Sequence, residues 1–187
     1  VCRRKMAAAA GTLPVAFLVC SNENLDGLTE LGPFDGALSN FGGLNCTADL
    51  DEVGRHLASL VRPGGSVFLC IMGRVCAWEI ARYVLTGQWK KALRRLRPSG
   101  STATIGGLTI RVHYPSVRQI ARTWAPWFRI RDCRGIGIFV PPSWMEPFFR
   151  NWPRTLRLFE WLDRLLGGSA LAGLADHVLL RFAREIQ

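Results

Sequence analysis

The residues Phe34-Asp35-Gly36-Ala37-Leu38-Ser39-Asn40-Phe41, followed by Leu60-Val61-Arg62-Pro63-Gly64-Gly65-Ser66-Val67, decide how this chain is read. The first run starts after Gly32-Pro33 and ends in the glycine-rich loop Asn40-Phe41-Gly42-Gly43-Leu44-Asn45, so residues 34–39 read as a strand. Between the two runs the spacing turns helical. Leu50, Val53, Leu57, Leu60 and Val61 share one face, and Asp49 or Asp51 can cap the start by accepting from first-turn N–H groups. Pro63-Gly64-Gly65 cannot continue a helix and turns the chain. The apolar run that follows makes residues 66–72 a buried strand. Strand, helix, turn, strand is the crossover unit of a parallel sheet.

Outward from this unit the pattern stays mixed. Residues 3–10 suit a helix stopped by Gly11, residues 14–20 a short buried strand, and residues 21–33 a polar loop. On the other side, residues 78–85 suit a helix and residues 88–97 form a basic amphipathic stretch. A Ser, Thr and Gly-rich loop comes next, then a strand over 108–114 and a helix over 117–125 ended by Pro126. Residues 128–134 alternate as an edge strand does, and Pro141-Pro142 ends that region. Residues 155–166 place Leu156, Phe159, Leu162 and Leu166 on one helical face, and 176–182 reads as the last strand. The expected fold is α/β: one domain over residues 1–187, with a parallel sheet and a C-terminal antiparallel hairpin.

Composition bounds the function. With 187 residues, 49% hydrophobic and 20% charged, the chain can bury a real core. No apolar run reaches the ~20 residues of a membrane-spanning helix, and the start carries no signal-peptide pattern. A cytoplasmic protein without a membrane partner is expected. None of the six cysteines forms a CxxC pair and the three histidines are scattered, so no metal site is expected. Free thiols of a reducing cytosol are the simplest account of these cysteines. The net charge of +10 is nearly all arginine and spread along the chain, with local clusters at Arg94-Arg95-Leu96-Arg97 and at 129–134. Nucleic acid is therefore not the expected partner.

The ordered pair of runs at 34–41 and 60–67 resembles the fourth-strand motif and the Pro-Gly-Gly turn of class I S-adenosylmethionine-dependent methyltransferases. Val112-His113-Tyr114-Pro115-Ser116 and Ala175-Asp176-His177-Val178-Leu179-Leu180 resemble segments of bacterial members. The resemblance implies a Rossmann-like sheet in the order 3-2-1-4-5-7-6 with strand 7 antiparallel. Strands 3 to 7 then fall at 15–20, 34–39, 66–72, 128–134 and 176–182. Residues 78–114 become a lid and residues 141–174 an insertion between the last two strands. Strands 1 and 2, the GxGxG loop and the acidic partner of the ribose have no counterpart. Gly135-Ile136-Gly137 does not replace the loop, because no helix follows it. The resemblance thus implies an N-terminally truncated methyltransferase, inactive alone, whose cofactor is S-adenosyl-L-methionine and whose substrate is a small-molecule methyl acceptor. Open α/β sheets bind ligands at the strands' carboxyl ends near the switch in strand order. That assigns cofactor contacts to Ser39, Asn40, Phe41 and Gly42, and in the preceding loop to Glu23, Asn24 and Leu25. The family's adenine-binding Asp aligns with Asn24, and Glu23 beside it is the alternative. His113 and Tyr114 in the lid are the candidate general bases. His177 beside Asp176 reads as a structural hydrogen bond, and Trp89 with its basic neighbours as a solvated face. The alternative function is a non-catalytic methyltransferase-like module whose basic surface meets RNA or a protein. The oligomeric state is left open.

Overall fold

A computed structural model describes residues 15–168 and 170–186. The helix expected at 3–10 lies outside them. The crossover unit forms as read. β1 (Phe34–Ser39) leads to α1 (Leu50–Leu60), whose cap is Asp49: its Oδ1 accepts from Glu52 N at 3.0 Å. Asp51 and Glu52 sit in the first turn, where the helix dipole favours negative charge. β2 (Val61–Met72) then runs parallel to β1. It starts earlier than expected. Phe34 pairs with Val61 and Gly36 with Ser66, so Pro63-Gly64-Gly65 is an irregularity within the ladder and not a turn ahead of it. The glycine is required there: a Cβ on Gly65 would lie 2.6 Å from Val61 Cγ1 and 2.8 Å from the Asp35 carbonyl.

The main sheet has the order β1-β2-β6-β5, with β6 (His177–Arg184) antiparallel to both β2 and β5 (Phe128–Ile136). The observed sheet is thus mixed, with one parallel pair. Its core lies against α1 and α4 (Val117–Trp124). Trp124 is completely buried, its ring 5.0 Å from Phe182 and 5.4 Å from Phe128, and its indole N–H donates to the Leu50 carbonyl at 2.7 Å. Gly54 makes room for it: a Cβ there would sit 2.7 Å from the indole.

A second cluster joins α2 (Ala77–Leu85) to the segment between β5 and β6, which holds α5 (Glu146–Phe149) and α6 (Pro153–Leu166). Trp78 packs at 5.7 Å from Phe149 and 6.2 Å from Phe159. The Asp163 carboxylate accepts from the backbone N–H groups of Ile138, Phe139 and Val140, which fixes the exit of β5. α3 (Trp89–Ala92) is a single turn. No helix among the described residues is long and apolar enough to cross a membrane.

Two expectations fail. Residues 15–20 form no strand, and Val15, Leu18 and Val19 are exposed. An apolar run becomes a strand only with a ladder partner, and no described strand pairs with it. The sheet therefore holds four of the five strands the resemblance implied. The Ser/Thr/Gly loop is in fact β3 (Ser101–Ile105), paired with β4 (Leu108–Val112) in a separate hairpin. Gly106 and Gly107 turn it with φ of 59° and 84°, the two positive values a two-residue hairpin turn needs. Ser and Thr content masked a strand whose signal was the Gly-Gly pair. The polar loop 21–33 is mostly 3-10 turns over Asn22–Leu31, with Ser21 capping its start.

Candidate functional site

The carboxyl ends of β1 and β2 and the start of β6 meet at one edge of the sheet, since Met72 pairs with His177. After Ser39 the chain reverses through Phe41 and Gly42, at φ of 41° and 77°. Such values are uncommon for a residue with a side chain and mark Phe41 as held. Gly42 N donates to the Cys70 carbonyl at 2.8 Å, which ties this loop to β2. Asn45, fully buried, completes the clamp. Its Oδ1 accepts from Met72 N at 2.8 Å and its Nδ2 donates to the carbonyl of His113 at 2.7 Å, while its own carbonyl accepts from His113 N at 2.7 Å. One amide thus fixes the β1 loop, the end of β2 and the exit of β4.

Two cavities flank this clamp. The first, about 430 Å³, is walled by Leu25, Leu44 and Leu57, with Asn22, Ser39 and Asn40 among its polar lining. The second, about 340 Å³, is lined by Thr47, Arg74, Arg97, His113, Tyr114 and Gln119. Asn22 Nδ2 donates to Thr47 Oγ1 at 3.0 Å and so joins the two linings. Leu25, Ser39 and Asn40 are therefore brought together. His113 and Tyr114 are not with them. Tyr114 bonds Ser101 at 2.9 Å and lies under the Arg95 guanidinium. Glu23 and Asn24 are exposed outside both linings. The Ser21 hydroxyl bonds the Glu23 carboxylate and holds it below its usual range.

A buried ion network underlies the same edge. Glu79 pairs with Arg94 at 2.7 Å and with Arg95 at 2.8 Å, and Arg95 reaches Asp176 at 2.7 Å. Arg95 also donates to the carbonyls of Gly73 and Asp176. Asp176 Oδ2 in turn stands 3.0 Å from His177 Nδ1. Burial alone would push the Asp176 carboxyl up; hydrogen bonds from His177 and Arg95 outweigh it and bring the group down to about 2. Asp176 is therefore a fixed anion. Among the described residues the His177 Nε2 has no hydrogen-bond partner, and the Phe41 ring meets the imidazole edge-on at 5.6 Å. This is a histidine oriented by a carboxylate at the edge where β1 and β2 end, although neither described cavity counts it in its lining.

Sequence reasoning gave His177 only a structural bond, passed over Glu79, and read Arg95 as part of a solvated face, whereas Arg95 is buried against Glu79 and Asp176. Arg95 and Asp176 are 81 positions apart, so no local pattern could show the network. Burial pushes up the thiols of Cys70, Cys133 and Cys76, the last to about 11, which removes them as nucleophiles near neutrality. Among the described residues no cluster could hold a metal ion.

No protein-family model and no curated protein matches the chain. Solved structures do. A Listeria monocytogenes protein assigned to the S-adenosylmethionine-dependent methyltransferases superposes with a TM-score of 0.59 at 13% identity, covering 98% of this chain and 75% of that one. An S-adenosylmethionine-dependent methyltransferase of Mesorhizobium loti gives 0.52 at 15% identity, covering 97% and 75%. The chain has the α/β fold with a mixed sheet that these methyltransferases share.

Proposed function

We propose that this chain forms the substrate-facing part of an S-adenosylmethionine-dependent methyltransferase acting on a small molecule. The observation that carries the reading is convergence: the Ser39–Gly42 loop, the first cavity and the Asp176–His177 pair share one sheet edge. The residues fit part of the cofactor. Leu25, Leu44 and Leu57 offer an apolar wall to a planar base, and Asn22, Ser39 and Asn40 offer amide and hydroxyl groups to a ribose or an amino acid moiety. Glu23 and Asn24 stay candidates by resemblance only. The bound cofactor supplies a methyl group already activated on a sulfonium, which leaves the protein to position the acceptor and take its proton.

His177 Nε2 takes that proton. Asp176 fixes the Nδ1 tautomer and stabilises the imidazolium, and Arg95 with Glu79 keeps Asp176 ionised and in place. Phe41 covers one edge of the imidazole. His113 and Tyr114, on the second cavity, shape the approach of the acceptor instead of serving as its base. Residues 78–114 act as the lid and residues 141–174 as the insertion that supports it.

No Gly-x-Gly-x-Gly run, which would hold the rest of the cofactor, occurs in these 187 residues. Calorimetric titration with S-adenosylhomocysteine is therefore expected to give a dissociation constant of about 1 mM or weaker, roughly 4 kcal/mol of binding. A chain carrying a glycine-rich strand-loop-helix unit ahead of residue 1 should bind much tighter. Micromolar binding by the 187 residues alone would show that the described cavity suffices. Absence of binding by both chains would end the methyltransferase reading.

A further inference from the structure

The stretch from Leu85 to Pro98 is folded inside out. Its inward residues are Ala92 and Arg95, the latter clamped by Glu79 and Asp176. Four of its exposed residues are large and apolar: Leu85 is 86% exposed, Trp89 60%, Leu93 51% and Leu96 39%. A surface helix of a soluble protein shows the opposite order. Trp89, Leu93 and Leu96 share one shallow groove with Lys90, Arg97 and Pro98. Leu85 lines a second groove of about 480 Å³, together with Trp144 and the 67% exposed Phe148. The charge around Trp89, Leu93 and Leu96 has one sign, while Glu146 is exposed beside the second groove. No Asp or Glu occurs between Glu79 and Asp132, and Glu79 is already spent on Arg94 and Arg95. Lys90, Lys91 and Arg97 are exposed, with no carboxylate partner among the described residues.

We propose that this surface docks on an anionic lipid bilayer, with Trp89, Leu93 and Leu96 entering the headgroup boundary and Lys90, Lys91 and Arg97 meeting lipid phosphates. Charge complementarity selects an anionic partner. The apolar residues select a bilayer over a nucleic acid, because Leu85 and Leu93 offer nothing to a phosphate or a base stack. A Trp beside lysines is the side-chain set that the membrane interface favours. The ion pairs of Arg95 hold the stripe outward on a rigid base, so docking requires no refolding. This is peripheral binding, contrary to the sequence expectation of no membrane partner, and its test reads vesicle binding and not methyl transfer.

The test is flotation of the purified chain with vesicles of phosphatidylcholine and with vesicles of equal parts phosphatidylcholine and phosphatidylglycerol. Binding is expected to the anionic vesicles only, falling with added salt. Lys90→Glu combined with Lys91→Glu should weaken it about thirtyfold or more, from roughly fivefold per lysine removed. Leu93→Ser should weaken it about tenfold. Both variants change exposed residues and should melt as the parent does, which separates lost docking from lost folding. Failure to float with anionic vesicles overturns the proposal. So does flotation that the two variants leave unchanged. A single-stranded RNA oligonucleotide that binds the chain when vesicles do not would assign the basic surface to nucleic acid.

Discussion

β6 and β1 belong to one sheet and meet opposite surroundings. β6 has a strand on each side, and its Leu180 and Phe182 are completely buried. Among the described residues β1 has a strand on one side only, and its Leu38 is 69% exposed and its Phe34 40%. Composition does not separate them, since both carry Phe and Leu. Neighbours do. β6 is inserted between two strands that arrive from distant parts of the chain, with Trp124 packed on its Phe182. Among the described residues no strand pairs with the outer side of β1, which lies beside an apolar cavity. The difference teaches where stability and binding reside. The β6 side holds the domain together, the proposed binding lies on the β1 side, and the candidate chemistry lies where Ser39 ends one strand and His177 begins the other.

The largest effect is expected on the β6 side. Trp124→Ala removes the indole that contacts both Phe128 and Phe182, and should cost about 3–5 kcal/mol in urea unfolding. A loss under about 1 kcal/mol would mean that the core lies elsewhere. The next effect is at the junction. Asp176→Asn takes a charged partner from Arg95 and His177 and should cost about 2–3 kcal/mol at neutral pH. The sign with pH follows from the depressed carboxyl. Its folded value is about 2 against 3.8, so its contribution is present above about 4 and is lost as the pH falls towards 2. Unfolding midpoints between pH 5 and 2 should fall more steeply for the parent than for Asp176→Asn. Parallel curves would remove Asp176 from the account.

The crossover unit was legible because its signals are local, Asp49 at a helix start and period-3.6 apolar residues, but the Pro-Gly-Gly expected to turn the chain lies inside β2. The strand at 15–20 was misread because apolar composition specifies burial only when a partner exists, and that partner is not local information. The hairpin at 101–112 was missed because Ser and Thr read as loop, although Gly106-Gly107 was there to be used. At the site, three of the expected cofactor contacts, Leu25, Ser39 and Asn40, line one cavity. His113 and Tyr114 were placed by resemblance, and the Asn45 clamp carries them to the other cavity. The Asp176–His177 pair was visible as a dipeptide. Its importance depends on Arg95 and on the Met72 to His177 pairing, which only the folded chain reveals.

The smallest effect is expected at β1, and it sharpens the comparison most. Leu38→Lys places a charge on the open strand. If β1 is a free edge, stability should change by no more than about 0.5 kcal/mol, as for other exposed positions. Self-association, followed by light scattering against protein concentration, should decrease, because a lysine on an edge strand opposes pairing with a second copy. The matching change on β6, Leu180→Lys, buries a charge with no partner and should prevent folding. A loss of 2 kcal/mol or more from Leu38→Lys would mean that β1 is covered in solution. The contrast between the two strands would then measure what covers it, and not an edge left open to bind.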